Sequence, residues 1–351
     1  MATWRDLALP RKSEIWRELR GLRAGVPGPT SSDPQRRSVF VASLEQAQQF
    51  TEAAANAGPA TRPVQIFYAL SQFGRAISAA SKLTIGSEWR LRGHGIGTKN
   101  LDTSKGLATV GVFPGAKGSL PGVARALGVA SFDADTKVTL GRLWPLIPEA
   151  QSVPLPGADG AKAMYINPSG AFQEENDRWV KLHLEPVNPA VRSEAERDPA
   201  TLEAFLLQYP TLNGWARNDF ATARRAVSWE TRHDGRGDRL TIHVPAERGL
   251  PQHEDEGRAS ARARGTLYRG PNDLFLFPAV GAMTQPVHPL LVWWGVLFGL
   301  SILARYEPEH WASIVDIDGS SDANAVEHVL EESITIVPHL ALLAIQEVAT
   351  P

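Results

Sequence analysis

One run dominates the hydrophobic pattern of the chain. From Pro289 to Ala304 no residue is charged and almost all are apolar. Pro289 suits the first turn of a helix, and Pro308 closes the element soon after Arg305. A helix apolar on every side is surrounded by protein or by lipid. At ~1.5 Å per residue the run covers about 24 Å, short of the roughly 30 Å hydrocarbon layer of a bilayer. The pattern therefore predicts a core helix buried among other helices, with Gly295 and Gly299 in its middle.

A second helix is predicted from Pro63 to about Ala80. Ile66, Leu70, Phe73 and Ile77 recur at helical spacing, while Ala69, Ser71, Gly74 and Ser78 are small enough for another helix to approach. The run at 289–304 is its natural partner, which would close one helical core from distant parts of the chain. Residues 12–24 carry Ile15, Trp16, Leu19 and Leu22 on one side of a shorter helix. A further helix is expected to start at Ser43, with Gln46 in capping-box position and Gly58 at its end.

The period changes between 150 and 285. Residues 163–166, 179–184, 240–244 and 274–277 read as strands, several of them alternating, interrupted by a helix from Ala200 to Tyr209. A turn is expected at 234–238 and a solvated charged loop from His253, with the basic run Arg258 to Arg264 exposed beside it. Short helices at 324–332 and 337–348 close the chain. The expected fold is α+β: a discontinuous helical core from 1–149 and 286–351, with a β-rich middle domain at 150–285.

Composition narrows the chemistry. Among 351 residues there is no cysteine, which removes disulfides, thiolate metal sites and cysteine nucleophiles. The net charge of −2 gives no global pull toward nucleic acid or membrane, so any RNA or nucleotide contact needs a local patch. Charges near the start interrupt the apolar run that a signal peptide would need, and a cytoplasmic protein with no membrane partner is expected. No histidine pair has zinc-helix spacing, and neither a metal nor another cofactor is expected.

The best local patch is the glycine-rich loop after Trp89. Arg90, Arg92, His94 and Lys99 stand there among Gly93, Gly95 and Gly97, a combination suited to phosphate or a nucleotide. It lacks the strand–turn–helix context of a dinucleotide fingerprint. Tyr68, Ser71 and Arg75 share one helix face, and Arg75 would join the patch if that face turns toward His94. The competing structural reading is a tight turn whose histidine is satisfied locally.

Several segments, in this order and spacing, resemble the YaaC-like family of bacterial proteins. They are Gln48 to Phe50 with the helix from Arg62 to Ile77, then Gly93 to Ile96, Val138 to Glu149, and His288 to Trp311. The resemblance covers nearly the whole chain, most loosely over 150–285, and implies no particular reaction. Residues 62–98 resemble more distantly the opening of HEPN domains, helical bundles that include RNA-cleaving toxins and defence effectors. That resemblance implies a metal-independent ribonuclease with an Arg–His pair near a homodimer interface, and Arg305 with His310 has the required spacing. There His310 would be the general acid/base and Arg305 would steady the phosphate. The structural alternative makes Arg305 a helix C-terminal cation.

Overall fold

The computed structural model describes residues 10–99, 101–132, 138–174, 177–215, 227–231, 237–247, 255–269 and 273–350. They form two compact units, a helical one from both ends of the chain and a β-rich one from the middle.

The chain opens with α1 (Lys12–Ala24), α2 (Pro34–Asn56) and α3 (Arg62–Ala80). A small antiparallel sheet of β1 (Ile96–Lys99), β2 (Gly111–Pro114) and β3 (Val138–Thr139) follows, with α4 (Ser119–Ala126) between its last two strands. The short α5 (Leu140–Leu143) comes directly after β3.

The middle unit is a six-stranded antiparallel sheet, ordered β6-β7-β5-β4-β9-β8. It is built from β4 (Met164–Glu174), β5 (Asp177–Val187), β6 (Ser228–Thr231), β7 (Asp238–Pro245), β8 (Thr266–Leu267) and β9 (Leu274–Leu276). Alternation puts Met164, Ile166, Val180, Leu182, Leu184, Leu240, Ile242 and Val244 on one face. That face packs with Leu202 and Leu206 of α7 (Pro199–Leu207), which follows α6 (Pro189–Ala195). The basic run at 258–264 is solvated on one side only, with Arg258 and Arg262 exposed. It forms α8 (Glu256–Arg264), capped by Asp255, with Ala259, Ser260 and Ala261 buried and Arg264 donating to the Pro245 carbonyl at 3.0 Å. Three small residues at the centre of a charged stretch sufficed to seat it. Residues 234–236 of the expected turn, with His253 and Glu254, lie outside the described residues.

The chain returns to the helical unit with α9 (Pro289–Tyr306), α10 (Pro308–Ile314) and α11 (Ala323–Ala349). Every residue of α9 from Pro289 to Ser301 is buried. Its contact with α3 depends on Gly74, where a Cβ would stand 2.6 Å from Cη2 of Trp294. Gly295 and Gly299 face Leu143 and Leu140 of α5 in the same manner. The protein is thus α+β, with N- and C-terminal helices flanking a β-rich middle. Both α9 and α11 are long and apolar enough to cross a membrane, and most of each is buried inside the folded chain.

Two helix limits differ from the sequence expectation. Helix α2 begins at Pro34, where the Asp33 carboxylate accepts from the N–H groups of Gln35 and Arg36 at 2.8 and 3.1 Å. An Asp cap followed by Pro in the first position outweighs the capping box at Ser43, which lies buried inside the helix. Helix α11 runs through Pro338 instead of dividing there. Proline removes one rung of the ladder, and the apolar face on both sides, packed against α1 and α3, holds the two halves together.

His288 caps α9 by accepting the Leu290 N–H at its Nδ1, 3.2 Å away. Accepting requires the neutral ring, and burial pushes its pKa down to about 4 from the ordinary 6.5. The unfolded chain therefore binds the extra proton between these values. This contribution is complete above pH 6.5 and fades as the pH falls toward 4. Chemical denaturation at pH 7 and pH 4.5 is expected to show a loss on the order of 1–3 kcal/mol that His288→Asn, which still offers a capping oxygen, lacks. Equal losses in both proteins would remove His288 from the acid response.

Candidate functional site

The C-terminal end of α3, the N-terminal part of α2 and the loop that follows α3 enclose an open groove of about 540 Å³. Its lining is Gln35, Ser38 and Val39 from α2, Arg75 from α3, and Trp89 to Arg92 from the loop. Three of the expected ligand residues, Arg75, Arg90 and Arg92, thus come together at one groove whose lining contains no carboxylate.

Arg36 builds this region from beneath. Its buried guanidinium donates to the carbonyls of Ala79 (3.3 Å), Ser81 (3.0 Å) and Thr84 (2.8 Å), where α3 ends and the loop begins. It also lies 5.6 Å from the centroid of the buried Trp89 ring, and the Arg90 guanidinium lies 4.8 Å from the same centroid. Arg90 donates further to the Gln35 side-chain carbonyl. Among the described residues Arg75 makes only a long contact, 3.4 Å from Nη1 to Gln72 Oε1, and its buried Nε finds no acceptor there. Arg92 is exposed. Among the described residues no carboxylate pairs with Arg75, Arg90 or Arg92. A donor buried without a partner costs about 1–3 kcal/mol, so such a cluster suits an incoming anion.

The glycines beyond Arg92 serve the backbone. Gly93 and His94 offer their carbonyls to the N–H groups of Ser119 (3.2 Å) and Leu120 (3.0 Å), and Gly95 offers its own to Gly115 (2.8 Å). The loop carbonyls thereby satisfy the first turn of α4. His94 turns its ring among aromatics, 5.3 Å from Phe67 and 6.3 Å from both Tyr68 and Phe298. Burial holds the imidazole below its ordinary pKa, with smaller contributions from Arg305 and Arg75.

Arg305 and His310 stand on successive helices, α9 and α10. The chain leaves helical geometry at Glu307, between α9 and α10. Arg305 folds back so that Nε donates to the Ser301 carbonyl at 3.0 Å, and its guanidinium lies 5.9 Å from the Tyr68 ring centroid. It therefore joins the His94 neighbourhood. His310 is exposed and sits 3.6 Å from Glu307. Lys99 is exposed and lies over the Phe113 ring at 5.0 Å, outside the groove. The middle unit has its own polar cluster, but its charges are matched: Arg239 meets Glu185 at 2.9 Å and Glu230 at 3.0 Å, while His183 meets the Thr241 hydroxyl at 2.9 Å. Among the described residues no group of His, Asp and Glu is arranged to hold a metal ion.

Sequence reasoning missed Arg36, Gln35, Ser38 and the structural role of Trp89. The available signal was the Asp33–Pro34 helix start, which fixes the phase of α2 and turns Arg36 inward.

Fold and site together define an α+β protein with an arginine-lined groove in its helical unit. The YaaC-like protein family model matches residues 21–345, and the chain belongs to that family. No curated protein and no solved structure matches the chain.

Proposed function

We propose that this YaaC-like protein binds a phosphate-bearing ligand, a nucleotide or a stretch of RNA backbone, in the groove of Arg75, Arg90 and Arg92. The observation that carries this reading is the convergence of three guanidiniums, free of carboxylates, around one groove. Guanidinium forks match phosphate oxygens in pairs, and a partly desolvated groove strengthens the attraction. Trp89 and Arg36 hold the loop in place, and Arg90 is ordered against the Trp89 ring before any ligand arrives. Gln35 and Ser38 supply neutral polar groups beside the cations.

Calorimetric titration of the full chain with AMP and with a short single-stranded RNA tests the reading and separates the two sources of phosphate. Arg92→Gln is expected to weaken whichever one binds by about 10- to 100-fold, the size of one charge-assisted hydrogen bond. Binding that survives the substitution undiminished would remove the groove from the account.

A further inference from the structure

The groove holds more than a phosphate group needs. Its volume of about 540 Å³ is several times that of an orthophosphate ion and suits a whole small molecule. Beside the three arginines, Val39 and Leu91 add apolar surface to the lining, and Gln35 and Ser38 add neutral polar groups.

Arg90 is the planar member of this lining. Its guanidinium lies over the Trp89 ring, 4.8 Å from the centroid, and the residue is exposed. The ring therefore covers one side of the guanidinium and leaves the other open. Trp89 itself is 4% exposed, too little for a ligand to stack on it, and buried Arg36 holds it from 5.6 Å. Gln35 fixes Arg90 from α2. Arginine has no acceptor, so the atom that Gln35 turns to Arg90 is its carbonyl oxygen, and the amide NH₂ remains as a donor.

We infer that the groove takes a nucleobase as well as a phosphate: the base stacks on the open side of the Arg90 guanidinium, between the apolar surfaces of Val39 and Leu91. Arg75 and Arg92, with the edge of Arg90, hold the phosphoryl group. The inference rests on the groove being a phosphate site, and it makes the ligand a nucleoside phosphate instead of inorganic phosphate or a sugar phosphate. A guanidinium is planar, delocalised and weakly hydrated, and it stacks on the π-face of any base. The Gln35 amide donates to a ring nitrogen or carbonyl oxygen at the base edge, and the Ser38 hydroxyl donates or accepts there. Because Trp89 and Gln35 already position Arg90, its plane is set before the base arrives.

Calorimetric titration of the full chain with AMP, ribose 5-phosphate and a short oligoadenylate tests this. AMP is expected to bind about 10- to 100-fold more tightly than ribose 5-phosphate, the size of one base stack. The oligoadenylate separates the sources of the base: tighter binding than AMP assigns the groove to RNA, and weaker binding assigns it to a free nucleotide. Arg90→Lys keeps the charge and removes the plane, and is expected to bring the AMP-to-ribose-5-phosphate ratio toward one. Arg92→Gln is expected to weaken both compounds alike and keep the ratio. If Arg90→Lys fails to fold, Gln35→Ala, which frees Arg90 from its anchor, is expected to lower the same ratio. Equal affinity of the wild type for AMP and ribose 5-phosphate, or a ratio untouched by the substitutions at Arg90 and Gln35, would overturn the base subsite and leave the groove reading standing. Failure of all three compounds to bind the wild type would overturn both.

Discussion

Arg36→Met is expected to destabilise the helical unit by about 3–5 kcal/mol and to open the groove at the same time. The methionine replaces much of the volume but leaves the carbonyls of Ala79, Ser81 and Thr84 without the guanidinium that now serves all three. Trp89 loses one of the two cations at its ring, and with it a contact that holds the platform on which Arg90 lies. Arg36→Lys is expected to recover little, because a single ammonium cannot reproduce a planar fork directed at three oxygens. Urea unfolding measures the stability, and near-ultraviolet circular dichroism follows the packing of the buried tryptophans. A loss within about 1 kcal/mol for Arg36→Met would mean that water or neighbouring groups satisfy those carbonyls, and that the loop is held by something else.

Gly118→Ala ranks beside it, with an expected loss on the order of 3 kcal/mol or more. Gly118 has φ +122° and ψ −165°, a region that is essentially glycine's own. An added Cβ would stand 2.4 Å from Cα and 2.5 Å from N of Gly95, so the obstacle is backbone and cannot swing away. Gly95, at φ +66°, meets Gly118 from the other side with a Cβ only 2.7 Å from the Gly118 carbonyl carbon. This close approach lets the carbonyls of residues 93–95 reach α4 and Gly115, the residue after β2. Thermal melting is expected to show a large drop, whereas Gly93→Ala, where nothing lies within 4 Å, meets only the backbone cost of its own positive φ. Similar melting temperatures for Gly118→Ala and the wild type would contradict the backbone contact described for the His94 loop.

The helical frame was legible because its signals are local and periodic. Ile66, Leu70, Phe73 and Ile77 mark one face of α3, and the unbroken apolar run of α9 can only be buried. Even their mutual contact could be read from Gly74, since small residues on one helix invite a bulky partner. Boundaries were harder where two signals compete. Ser43 has the right spacing for a cap, but Asp33 followed by Pro34 caps the helix ten residues earlier. In α8 the charges conceal a buried centre of small residues, and in α11 tertiary packing overrides Pro338.

The site was half legible. Arg90 and Arg92 stand together in sequence, and helical spacing allowed Arg75 to be aimed at them. The glycines read as an anion cradle instead bring two backbones together, a distinction that only tertiary contact makes. Arg305 lies too far along the chain for any local pattern to join it to His94. The more distant resemblance paired it with His310, which stands on the next helix, α10.

If Arg75 and Arg92 stand unpaired for the sake of a ligand, melting curves of two proteins reveal it. Full-length wild type and the Arg75→Gln/Arg92→Gln double variant are melted without ligand and with millimolar pyrophosphate. Unpaired like charges, one with a buried orphan donor, cost stability in the absence of a ligand. The double variant is therefore expected to melt higher than the wild type alone, and only the wild type is expected to gain on adding pyrophosphate. A double variant that melts lower, and gains as much from pyrophosphate as the wild type does, would show that these arginines serve the fold and that the groove is not a phosphate site.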